Sequence, residues 1–226
     1  MLAKVSPSMM CADFLDLKSE LDVFAQYKID YLHMDIMDGN YVPNFTLGID
    51  FCKAVASYSM IPLDYHLMVE DPDRFVDIFC QIKNSIFTFH PETSRHPVRT
   101  IEHIRAAGCK PSIAIDPAIP VNQFIHLYPL VDMVCVMTVN PGYAGQKLIP
   151  FCIDKFSELQ DIKKKYGLSF EIEADGNVSW ENIPKMINAG AEVLVVGTSS
   201  VFSKTESRND TLERLYEMLN RKVYAK

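Results

Sequence analysis

The sequence predicts a closed parallel (β/α)8 barrel, a TIM barrel, formed as one domain over residues 1–226. Three observations predict it. A short apolar or β-branched run, a turn and an amphipathic stretch repeat from end to end of the chain. Eight such units fit into 226 residues with no break in composition, which suits one barrel and is short for two domains. No Gly-x-Gly-x-x-Gly turn follows the first strand, where an open doubly wound sheet would carry one.

In chain order, the strand candidates begin near Lys4, Tyr31, Leu63, Ile86, Lys110, Met133, Phe170 and Val193. Between and after them lie helix candidates Asp13–Tyr27, Asp73–Ile82, Pro97–Ala107, Pro120–Leu127, Pro150–Tyr166, Trp180–Ala189 and Asp210–Tyr224. Gly108 and Gly190 stand where helix C-caps belong.

The second strand is the one that carries chemistry. In Tyr31–Gly39, Leu32, Met34 and Ile36 pack outward while His33 and Asp35 share the opposite face, and Asp38-Gly39 ends the run. Ile61–Val69 brings up His66, and Ser169–Gly176 brings up Asp175 just before a glycine. Barrel enzymes place their reactive groups at the C-terminal ends of strands, which is where all four of these residues fall. Two imidazoles and two carboxylates suit one divalent transition ion, Zn, Mn, Co or Fe ahead of Mg, and leave coordination positions for a substrate.

Bulk properties narrow the partners. Net charge is −7 and the hydrophobic fraction is 48%, ordinary for a globular chain. The one basic run, Lys163-Lys164-Lys165, reads as a solvated helix end, so no nucleic-acid partner is expected. No apolar run approaches the roughly 20 residues needed to cross a bilayer, and no secretory signal opens the chain, so no membrane partner and a cytoplasmic location are expected. Six scattered cysteines without a Cys-x-x-Cys pair indicate neither a disulfide framework nor a zinc knuckle.

The loops after the last three strands predict a phosphate site. Gly142-Tyr143-Ala144-Gly145 lies in a loop long enough to act as a lid, Asp175-Gly176-Asn177 closes the seventh strand, and Gly197-Thr198-Ser199-Ser200 follows the eighth and is expected to start a short helix. These loops contain no arginine, so the anion must be held by backbone N–H groups, hydroxyls and a helix dipole. Met37, Met68 and Met137 sit near strand ends at one level, forming a polarizable apolar collar around the reacting carbon.

Together these pieces resemble the ribulose-phosphate 3-epimerase family over nearly the whole chain. The resemblance rests on Ser6-Pro7-Ser8, His33–Gly39 with Tyr41-Val42-Pro43-Asn44, Asp64–Val69, Val136–Gly142 and Glu173-Ala174-Asp175-Gly176. It implies a ribulose-phosphate-binding type of barrel, a small ketose phosphate substrate and a homo-oligomer, dimer or hexamer, with one divalent ion per subunit. It also implies proton exchange at C3 through a 2,3-enediolate, with Asp35 and Asp175 on opposite faces of that carbon as base and proton donor. Ser8 is expected to hydrogen-bond near the site, and His66 to touch substrate as well as metal. His90-Pro91-Glu92-Thr93, Ala144, Asn177 and Gly197-Thr198-Ser199 lean towards the branch acting on D-allulose 6-phosphate, with D-ribulose 5-phosphate the alternative. A non-catalytic sugar-phosphate sensor on the same barrel would not need both acids. A metal-free barrel decarboxylase would want a lysine between its carboxylates, and His33–Asp38 contains none.

Overall fold

The computed structural model describes residues 3–223. Strand β1 (Lys4–Pro7) leads through a turn at Met9–Cys11 into helix α1 (Leu17–Gln26). Next come β2 (Leu32–Asp38), a two-residue β3 (Phe45–Thr46) and α2 (Ile49–Tyr58). β4 (Leu63–Met68) precedes α3 (Val76–Phe79), and β5 (Ile86–Phe89) precedes α4 (Pro97–Ala106). β6 (Lys110–Ile115) and β7 (Met133–Met137) are joined without an α-helix. The chain ends with α5 (Cys152–Tyr166), β8 (Glu171–Asp175), α6 (Ile183–Ala189), β9 (Val193–Val196) and α7 (Arg208–Val223).

The sheet runs β1-β9-β8-β7-β6-β5-β4-β2-β3, parallel throughout except where β3 turns back on β2. It closes between β1 and β2, where Ser8 bridges His33 in parallel register and the Tyr31 N–H donates to the Val5 carbonyl. The predicted eight-stranded barrel is therefore formed, with β3 as an appendage. Strands buried on both faces explain the near-continuous apolar runs, such as the five buried residues of β7. Leu32, Met34 and Ile36 face outward into the main core with Phe24 and Leu21 of α1 and Val55 of α2.

Inside the barrel, Tyr31, Ile86, Met133 and Val193 form an apolar floor. Below it Lys4 donates to Glu171 and to the Tyr31 hydroxyl. Many of the other interior-facing residues are polar, where barrels usually place branched aliphatics: Ser6, His33, Asp64, Thr88, Ser112 and Glu173 are all fully buried.

Several expected elements differ. Residues 120–127 form no α-helix but a 3-10 turn at Val121–Phe124, followed by another at Tyr128–Leu130; Pro129 has no N–H to donate and would interrupt an α-helix continued through it. Lys155, buried on α5, satisfies the carbonyls of Asp116, Pro117 and Ile119 in the preceding loop. α1 starts at Leu17 rather than Asp13, because the Asp13 carboxylate accepts from the Leu15 N–H and closes an Asx-type turn. The span Asp73–Ile82 is split between a 3-10 turn at Pro72–Phe75 and α3. The short helix expected after the last strand is a turn, in which Ser200 and Phe202 both donate to the Gly197 carbonyl; a Thr-Ser-Ser run has little intrinsic helix preference. The predicted end of the last helix, Tyr224, lies outside the described residues. All six cysteines are free, and no helix among the described residues is long and apolar enough to cross a membrane.

Candidate active site

Parallel register sets the site. β2 and β4 pair so that Asp35 lies beside His66 and Met37 beside Met68, and β7 and β8 pair so that Met137 lies beside Asp175. His33, Asp35, His66 and Asp175 consequently converge from three strands at the C-terminal mouth, each offering one ligand atom within 4.8 Å of the others. His33 Nε2 is 3.5 Å from Asp35 Oδ1 and 3.7 Å from Asp175 Oδ2. His66 Nδ1 is 3.8 Å and 3.2 Å from the same two oxygens. A tetrahedral ion with bonds of ~2.0–2.2 Å has donor–donor edges of ~3.3–3.6 Å, so these four atoms have the spacing of a coordination shell.

The two nitrogens meet no hydrogen-bond partner despite complete burial. Buried imidazole nitrogens without a partner are costly, and a divalent cation is the group that would satisfy both at once. The donor set fits such an ion. Asp35 is steadied by Ser8 Oγ, which donates to its Oδ2 at 2.6 Å, and by Thr46 Oγ1, which donates to its carbonyl.

The far nitrogens are engaged. His33 Nδ1 lies 2.8 Å from Asp64 Oδ2, which also accepts from Ser6 Oγ, and His66 Nε2 lies 3.0 Å from His90 Nε2. Asp64 and Glu173 were not foreseen as part of this site. The signal was available, since Asp64-x-His66 and Glu173-x-Asp175 repeat the spacing that singled out His33-x-Asp35.

Electrostatics follow from burial and charge. Burial opposes the charged forms throughout, but Asp64 and Asp35 override it at His33 and raise that imidazole well above its ordinary value. Burial likewise opposes ionisation of Asp175, yet the imidazoles of His33 and His66 close to its Oδ2 hold its carboxyl well below the usual range. Burial and the adjacent Asp64 raise Glu173 strongly. Neither Glu173 oxygen meets a donor, which agrees with a carboxyl that favours its neutral form. Burial lowers His90 and leaves it neutral.

Above the four residues opens a cleft. Ser8, Asp35, Asp175, Met37, Met68 and Met137 line its floor, with Met10 and Cys11 as unforeseen neighbours. Its far wall is built from Gly142, Tyr143, Ala144, Gly145, Gly176, Asn177, Gly197, Thr198 and Ser199. His33 and His66 sit beneath the floor and do not line it. The loop after β7 is docked on the loop after β2: Asn44 Nδ2 donates to the Gly142 carbonyl, Tyr143 OH donates to the Pro43 carbonyl, and Val42 fills the space beside Gly142. Gly176 is held at φ +107° with Val139 against it, leaving no room for a Cβ. No backbone carbonyl among the described residues accepts from the N–H groups of Asn177 and Ser199, which leaves them open to an anion, while the Thr198 N–H is turned towards the Cys11 sulfur.

Residues 4–202 match the model of the ribulose-phosphate 3 epimerase family. A ribulose-phosphate 3-epimerase of Bacillus subtilis is 38% identical over 208 residues, 92% of this chain and 95% of the relative. One from Helicobacter pylori strain J99 is 37% identical over 201 residues, covering 89% and 92% of the two chains. One from Escherichia coli K12 is 36% identical over 203 residues, covering 89% and 90%. Among solved structures, KGPDC from Streptococcus mutans superposes with a TM-score of 0.69 at 8% identity, over 98% of this chain and 99% of that one. A mutant tryptophan synthase alpha-subunit from Pyrococcus furiosus gives 0.67 at 14%, over 97% and 99%. At such identities these two show the barrel fold.

Proposed function

The chain belongs to the ribulose-phosphate 3-epimerase family, and from that premise we propose that it interconverts D-ribulose 5-phosphate and D-xylulose 5-phosphate by inverting C3. It is an isomerase of the epimerase class. The observation that carries the mechanism is the pair Asp35 and Asp175, two carboxylates on separate strands facing the same two imidazoles at the floor of one cleft. Inversion requires a proton to leave one face of C3 and another to arrive on the opposite face, and two acids can divide that work.

In this reading His33, Asp35, His66 and Asp175 would hold a divalent ion, which when bound would supply Lewis acidity that makes the C3–H bond easier to break. Two imidazoles favour a transition ion over Mg. One carboxylate takes the C3 proton while the electron pair delocalises towards C2 and its oxygen. The other, protonated, forms the new C3–H bond from the far side. The collar of Met37, Met68 and Met137 keeps water from the carbanionic carbon. Ser8 orients Asp35, and the loops at Gly142–Gly145, Gly176-Asn177 and Gly197–Ser199 receive the phosphate.

The hexulose reading, D-allulose 6-phosphate to D-fructose 6-phosphate, rests on a few small departures in sequence. The three relatives compared above are all named ribulose-phosphate 3-epimerases, which favours the pentulose. The side chains behind those departures also point elsewhere. Asn177 Nδ2 donates to the Gln146 carbonyl while its Oδ1 accepts from Asn182, and Thr93 Oγ1 donates to the His90 carbonyl. Spent on the scaffold, they are weak reporters of sugar length. Steady-state kinetics on the two substrates decide: kcat/KM should be higher for ribulose 5-phosphate, and a higher value for allulose 6-phosphate would reverse the assignment.

The lid gives a second expectation. Gly142 sits at φ +117° with Val42 Cβ 3.1 Å from where a side chain would start, and Gly145 at φ +80°. Valine at either position should shift the loop and remove one or two N–H contacts to the phosphate. At ~1.5–3 kcal/mol for a hydrogen bond to a charged group, KM should rise roughly 10–100-fold, with metal content unchanged. Unaltered KM in both variants would remove this loop from the phosphate site.

A further inference from the structure

Behind His66, away from the cleft, runs a chain of side chains that the proposed reaction does not use. His66 Nε2 lies 3.0 Å from His90 Nε2, with the rings stacked at 26°. His90 Nδ1 lies 3.0 Å from Tyr41 OH and 3.3 Å from Glu92 Oε1, and Tyr41 OH donates to that same Glu92 oxygen at 3.1 Å. Both histidines are fully buried, while the Glu92 side chain retains 29% of its exposure.

The chain has a direction. Two ring nitrogens in contact share one proton, so one donates and the other accepts. An ionised Glu92 can only accept. It therefore favours an N–H at His90 Nδ1, which leaves a lone pair on His90 Nε2. That lone pair calls for the proton of His66 to sit on its Nε2, and His66 Nδ1 is then bare towards Asp35 and Asp175, where it has no hydrogen-bond partner. The opposite order would turn a His90 lone pair onto the Glu92 carboxylate and place a proton on the nitrogen aimed at the ligand cluster. On His33 the nitrogen turned away from the cluster, Nδ1, meets a carboxylate directly, Asp64 at 2.8 Å.

We propose that His90, oriented by Glu92 and Tyr41, is a positioning residue that fixes His66 as the Nε2–H tautomer and thereby presents its Nδ1 lone pair to a divalent cation. This rests on reading the four-residue cluster as a metal site. His-Pro-Glu-Thr at 90–93 thus acts on metal affinity, by way of a carboxylate relayed through an imidazole.

The test is Co(II) affinity of the whole protein, measured by competition with a chromophoric chelator, together with 15N shifts of the histidine rings. His90→Leu should weaken Co(II) binding ~10–100-fold, and His90→Gln, which keeps an acceptor for His66 and a donor for Glu92, should recover most of that loss. Glu92→Gln, at the solvent end where folding is not at risk, should weaken binding by less and mix the tautomers of His90. In the wild-type protein, protons at His66 Nε2 and His90 Nδ1 support the proposal, and the reverse pair overturns it. Equal affinity in wild type and His90→Leu overturns it, as do equal losses in the Leu and Gln variants, or a Glu92→Gln protein identical to wild type in affinity and spectrum. Failure of the wild type itself to bind Co(II) would instead remove the metal reading on which the proposal stands.

Discussion

Replacement of Asp35 or Asp175 by asparagine is expected to abolish epimerisation, with kcat falling by at least the ~10²–10⁴-fold typical of losing a positioned acid or base. The amide keeps an oxygen in place of each carboxylate, so the ligand cluster need not fall apart. The expected phenotype is therefore selective. A variant with one acid left should still wash solvent deuterium into C3 of one epimer while forming none of the other, and the two variants should differ in which epimer exchanges. Analysis of recovered substrate by mass spectrometry after incubation in D2O reads this directly. Near wild-type inversion in both variants, or exchange of the same epimer in both, would show that one acid serves both faces.

Exhaustive chelation is expected to remove turnover almost completely and to lower the melting temperature, with Zn, Mn or Co restoring both. An ion at about a thousand times its Kd stabilises the native state by ~4 kcal/mol. For a chain of this size that corresponds to a melting shift of roughly 8–16 °C. The sign of the pH dependence follows from His33. In the metal-free protein burial disfavours its charge, but Asp64 and Asp35 raise its pKa well above the ordinary value, so a proton competes with the ion for Nε2. Nδ1–H keeps its bond to Asp64, while the Nε2 proton must leave when an ion binds. Affinity should then rise with pH until that raised pKa is passed, and titration calorimetry in buffers of different ionisation enthalpy should record about one proton released. Full activity and an unchanged melting temperature after verified metal removal would dismiss the ion from both roles.

Much of this was decided locally. The two-residue period of His33 and Asp35 places them on one face of a strand whatever surrounds them, and the same rule applied to Asp64 with His66 and to Glu173 with Asp175 would have exposed the buried carboxylates beneath the cluster. Glycine at 176 announced a turn because only glycine tolerates that backbone against Val139. The alternation of apolar runs and amphipathic stretches carried the barrel, since both faces of a parallel strand must be buried.

Other features depend on partners far away in the chain. Closure of the ring needs Ser8 against His33, and the pairing of Asp35 with His66 needs the register of β2 on β4, neither of which is a property of any single segment. Residues 120–127 carry a helix-like pattern, yet they fold as a 3-10 turn followed by another around Pro129, with the loop before them held by the distant Lys155. His90, Glu92 and Tyr41 read as family markers when taken along the chain, and become a hydrogen-bonded line behind His66 only when β5 and the loop after β2 are brought together. Side-chain periodicity fixes which way a residue points; which atom it meets is set by packing across the barrel, and in a buried site that meeting decides where each proton and charge resides.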